Sequence, residues 1–115
     1  MSVTEGAVFK IMTEEQWEEL CDLGVWSGSE DDQADGYIHL AFSHQVADVL
    51  KKHFSDAGAL IIAELHESDL GEDLKVEAIQ GGAQYPHLYR PISLGEVLRD
   101  FELEGPSSPL PAEVG

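Results

Sequence analysis

Apolar positions along this chain switch between a two-residue and a three-to-four-residue spacing, and the switches mark out its elements. Ala7-Val8-Phe9-Lys10-Ile11 is a compact, mostly apolar run and reads as a first strand. Thr13 then opens a helix: Gln16, three residues on, completes a capping box, and Glu14 and Glu15 suit the positive end of the helix dipole. Trp17, Leu20 and Cys21 fall at helical spacing and are expected on its core face, with Gly24 as the C-terminal cap. Residues 27–35 are polar and acidic and read as a loop. From Gly36 to Phe42 the pattern alternates, placing Ile38, Leu40 and Phe42 on one face and Tyr37, His39 and Ala41 on the other. Ser43 is expected to cap a helix buried through Val46, Val49, Leu50 and Phe54.

The second half is mostly strands. Residues 59–65 are apolar and bounded by Gly58, which predicts the central strand. Residues 74–79 form another strand with Glu77 inside it, and Gly81-Gly82 breaks the chain. Residues 83–90 run from a loop into a short strand, Ser93 caps a turn, and residues 97–103 form the last strand. The expected fold class is α+β: a small mixed or antiparallel sheet with two or three helices on one side. Residues 1–103 form a single domain, and residues 104–115, with three prolines and no aromatic residue, are expected as a flexible tail.

Composition narrows the class. A chain of 115 residues holds one core, and 43% hydrophobic content is too high for a disordered protein. Its one cysteine, Cys21, excludes an intrachain disulfide and a multi-thiolate zinc site. No signal peptide is expected in residues 1–12, and the longest apolar run, residues 59–63, is too short for a bilayer, so the protein reads as cytoplasmic. Twenty-three acidic residues against six basic ones give a formal charge of −17. That field repels nucleic acid and anionic membranes. It suits a high-salt cytoplasm or, alternatively, docking on a basic protein partner.

Phosphate-binding glycine loops and nucleophile elbows are missing from the sequence. What chemistry there is gathers in two segments. His39 sits mid-strand, where a buried imidazole needs a partner for a ring nitrogen; it is a structural histidine, an acid–base or ligand-orienting group, or a metal ligand. Tyr85-Pro86-His87-Leu88-Tyr89-Arg90 packs two aromatics, an imidazole and a guanidinium beside a stiffening proline. Arg90 suits a phosphate or carboxylate of a ligand, or pairs internally with one of the many acids. Glu77 in its strand is either at an edge or partnered. His44 lies near the rim, and Lys10 is a candidate for phosphate.

Taken in order, Phe9-Lys10-Ile11, Trp17, Asp35-Gly36-Tyr37-Ile38-His39-Leu40, Gln45-Val46, Leu74-Lys75-Val76-Glu77 and Pro86-His87-Leu88-Tyr89 resemble the bacterial domain-of-unknown-function family 952. Ala41-Phe42 departs from the Ser-Thr type of pair usual there. The family is similar in fold to ADP-ribosyltransferases. The resemblance implies that residues 36–54 form the strand–helix unit of a nicotinamide pocket, with Glu77 as the nearest match to the fold's catalytic glutamate. It implies a small nucleotide-type ligand, with NAD as a substrate and glycosyl or ADP-ribosyl transfer as the chemistry. On that reading His39, Glu77 and His87 are the catalytic candidates, and Lys10, Tyr37, His44, Tyr85, Tyr89 and Arg90 contact the ligand. A non-catalytic acidic interaction module, and a small metalloprotein using His39, His87 and a carboxylate, are the alternatives.

Overall fold

A computed structural model describes residues 3–79 and 82–115; Gln80 and Gly81, including half of the expected glycine break, lie outside the described residues. The elements run β1 (Ala7–Thr13), α1 (Glu14–Leu23), β2 (Val25–Trp26), α2 (Glu30–Asp35), β3 (Ile38–His39), α3 (Ser43–His53), β4 (Leu60–His66), α4 (Glu67–Leu70), β5 (Leu74–Ala78), β6 (Gln84–Leu88), β7 (Ile92–Ser93) and β8 (Arg99–Leu103). The α+β class holds, with small antiparallel sheets and four helices among the described residues rather than two or three. None of these helices is long and apolar enough to cross a membrane.

β4 lies between β1 and β8, as its apolar run predicts, and β6 lies between β3 and β5; β2 and β7 form a short ribbon. The two three-stranded sheets are joined where the chain after β3 changes partner. Leu40 still donates to the Pro86 carbonyl of β6 at 3.0 Å, whereas Ala41 and Phe9 of β1 exchange two backbone bonds of 2.8 and 2.9 Å. The expected long strand over residues 36–42 is therefore two residues of β3 plus a bridge to β1.

β1 is buried on both faces, which explains why its run is apolar but for Lys10. Val8 and Met12 pack in one core cluster with Leu20 of α1, Trp26, Ile38 and Leu88. Ala7, Phe9 and Ile11 pack in a second with Val46 and Leu50 of α3, Ile62 and Leu103. The helices thus cover both faces of β1, not one side as the pattern suggested. Fully burying a side chain such as Val46 or Leu50 contributes about 1.5–3 kcal/mol.

Local signals account for α1. The Thr13–Gln16 capping box forms, and Gly24 ends the helix in the left-handed conformation at φ 79°. Its core face is narrower than expected: Leu20 is buried, Trp17 packs against the core, and Cys21 is exposed. Cys21 should therefore be titrated by a thiol reagent in the folded protein, which a colourimetric thiol assay without denaturant would show. At α3 the expected Ser43 cap gives way to the Gln45 side chain, which accepts the Phe42 N–H at 3.0 Å while its amide donates to the Gln84 carbonyl at 2.6 Å. Val114 is fully buried in the second cluster, with Leu110 packed beside it.

Candidate functional site

Strand register brings the two histidines together. His39 of β3 lies directly opposite His87 of β6, and their ring centroids are 5.7 Å apart at an edge-on angle of 73°. Each ring is oriented by a carboxylate. His39 Nδ1 lies 2.6 Å from Asp32 Oδ1, and its Nε2 lies 3.0 Å from Asp35 Oδ2. His87 Nδ1 lies 2.9 Å from Glu77 Oε1, and the Tyr89 hydroxyl donates to that same oxygen. Tyr37 stacks on His87 with ring centroids 4.0 Å apart and tilts against His39 and Tyr89. His87 is 2% exposed, and its Nε2 is a buried side-chain atom without a hydrogen-bond partner among the described residues.

Asp32 anchors this arrangement from α2, the segment read as a loop. A capping box forms the short helix: Ser29 accepts the Asp32 N–H, and Asp32 Oδ2 accepts the Ser29 N–H at 3.0 Å. The same carboxylate accepts from the Lys10 ammonium at 2.9 Å and from the His39 N–H at 3.1 Å. Lys10 is buried because it lies between Val8 and Met12 on a covered face of β1, with its ammonium 5.6 Å from the Trp26 ring centroid. It also donates to the His39 carbonyl at 3.0 Å. Burial lowers the Lys10 pKa and Asp32 offsets part of that shift. Burial raises the Asp32 carboxyl, but hydrogen bonds from His39 and Lys10 and the Lys10 charge outweigh it and hold the carboxyl well below the usual carboxylate range.

Backbone freedom at Gly28 lets the β2–α2 turn close on this anchor. Gly28 has φ 104°, and a Cβ there would lie 2.7 Å from the Asp32 Cβ. Gly28→Ala should cost about 1–3 kcal/mol, read as a lower melting temperature, because strain and collision add.

Around Glu77 the shifts follow its partners. The Tyr89 and His87 hydrogen bonds lower the Glu77 pKa. The bond to Glu77 pushes the Tyr89 hydroxyl up to about 12. Burial, then the Asp35 and Glu77 charges, raises Tyr37.

The structure thus gathers His39, His87, Glu77, Tyr37 and Tyr89 on one face and separates Lys10, Arg90 and His44 from them. Lys10 is committed to Asp32 inside the protein and not open to a phosphate. Arg90 bonds internally, with two nitrogens on Glu96 at 2.9 and 2.6 Å and Nε on Asp73 at 3.0 Å. His44 lines a groove of about 470 Å³ with Phe42, Gln45, Asp48 and Val76, and neither His39 nor His87 lines it; Tyr85 lines it too, while standing opposite Glu77 in the strand register. No group of three or more His, Cys, Asp or Glu among the described residues could hold a metal ion. Asp32 and Asp35 are the functional positions sequence reading missed. The signal for Asp32 was present: Ser29 stands three residues before it, at capping-box spacing.

Fold and site together define a small α+β domain that presents two carboxylate-oriented imidazoles on adjoining strands. The chain belongs to the family described as "Protein of unknown function (DUF952)", whose model matches residues 11–100, a span that holds both histidines and Glu77. It is similar to protein CC0527 from Caulobacter crescentus. The crystal structure of that protein matches with a TM-score of 0.81 at 37% identity, covering 94% of this chain and 90% of that one. Its solution NMR structure matches with a TM-score of 0.78 at 38% identity, covering 86% and 85%. No curated protein matches the chain significantly.

Proposed function

We propose that the face carrying Tyr37, His39, Glu77, His87 and Tyr89 binds an NAD-type nucleotide and supports transfer or cleavage at its glycosidic bond. The observation that carries this reading is the opposed pair of imidazoles, 5.7 Å apart, each fixed by its own carboxylate, one with a buried nitrogen free of partners among the described residues. Perturbed titratable groups gathered with aromatic rings are what a small-ligand site needs. The resemblance to ADP-ribosyltransferases supplies the ligand class. Glu77 is suitably charged to favour positive charge developing at an anomeric carbon. Asp35 and Glu77 make the face acidic, so it suits the cationic nicotinamide ring better than the phosphates.

NAD, ADP-ribose and nicotinamide at millimolar concentration should shift the NMR resonances of Tyr37, His39, His87 and Tyr89, with NAD and nicotinamide acting more strongly than ADP-ribose. Unmoved resonances with all three would end the proposal.

A further inference from the structure

We infer that the two imidazoles are an unlike pair, in which His87 offers a bare Nε2 as proton acceptor and His39 holds its protons as donor, so that the site takes a ligand bringing a hydroxyl to Nε2 of His87. The ligand's existence rests on the reading above; the roles of the two rings belong to the free protein and are tested apart from it.

Glu77 dictates the state of His87. A carboxylate only accepts, so the 2.9 Å contact places a proton on Nδ1. Glu77 Oε1 is itself held by the Tyr89 hydroxyl. A second proton on Nε2 would bury a charged N–H without an acceptor, which costs more than burying a lone pair. The groups facing this ring are Glu77 and Lys75 of β5, Tyr89, Tyr37 and His39. A ligand hydroxyl reaching Nε2 gives its proton to that nitrogen and keeps the O–H electron pair on oxygen. The imidazolium so formed is paired with the Glu77 carboxylate.

His39 has the opposite surroundings. Its two nitrogens face two acceptors, Asp32 at 2.6 Å and Asp35 at 3.0 Å, and only a ring with a proton on each nitrogen donates to both. The groups facing it are Asp32 and Asp35 of α2, Lys10 of β1 through Asp32 and the His39 carbonyl, Tyr37, and His87 of β6. Lys10 offsets one of the two carboxylates, so the balance stays negative. Asp32 and Lys10 are positioning residues and Asp35 supplies charge at the rim, where its side chain is 52% exposed.

Nitrogen–proton correlation spectra of the histidine rings in the full chain, without ligand, decide the matter. His87 should show a protonated Nδ1 and a bare Nε2. His39 should show a proton on each ring nitrogen, and Asp35→Asn, at an exposed position, should move the His39 Nε2 resonance without unfolding the protein. A His87 proton found on Nε2, or a His39 ring with one bare nitrogen, would overturn the assignment. Adding ADP-ribose then tests the ligand separately: a shift of His87 Nε2 supports hydroxyl donation. Shifts elsewhere on the face with Nε2 unmoved refute hydroxyl donation while leaving the NAD-type reading intact.

Discussion

Asp32→Ala is expected to destabilise the fold by about 3–5 kcal/mol, read as a lower urea midpoint, because it strands the Lys10 ammonium in the core. Lys10 is 7% exposed, and Asp32 is its only carboxylate partner among the described residues. The same substitution removes the bond to Ser29 N–H that starts α2, and frees His39 Nδ1. Lys10→Met with Asp32→Ala should recover part of the loss, since a well-packed apolar pair replaces an orphaned charge.

Acid probes the same anchor. The folded pKa of Asp32 lies below its unfolded value, so its contribution is complete above about pH 4, where the unfolded carboxyl is ionised. It is lost as pH falls below that value toward the folded one. The urea midpoint of the natural chain should therefore drop on acidification below about pH 4. Asp32→Ala should flatten that part of the profile, and an unchanged slope would contradict the anchoring role.

Phe9→Ala is the second large effect, about 3–5 kcal/mol by urea denaturation. Phe9 is fully buried, and its side chain fills the second core cluster between Ile11, Val46 and Ile62. Its backbone also carries both hydrogen bonds that join the two sheets at Ala41. Loosening this point acts on the site as well, because the next residue is Lys10. A loss below about 1 kcal/mol would mean that the junction is held by the backbone bonds alone.

Much of this arrangement was legible because its causes are local. The Thr13–Gln16 box and Gly24 define α1 within a dozen residues, and the apolar run of residues 59–63 marked β4 as central. Strand alternation set His39 apart from Ile38 and Leu40, and the register then brings it opposite His87. The failures have causes that act at a distance. α2 has no apolar stripe; it exists because Asp32 is drawn inward by Lys10, 22 residues earlier. Val114 is one apolar residue among prolines and serines, and its burial depends on the cluster it joins with residues of α3 and β1. Lys10 looked available because the sequence shows a cation's charge and not its partner, Asp32, whereas Arg90 takes the internal pairing its sequence also allowed, with Glu96 and Asp73.

The closeness of the Lys10 ammonium to the Trp26 indole, 5.6 Å from the ring centroid, gives the anchor a built-in optical reporter. Indole emission responds to a nearby charge. Any event that pulls Asp32 or Lys10 out of register should therefore change Trp26 fluorescence, letting rearrangement beneath the imidazole pair be followed in real time without an attached dye.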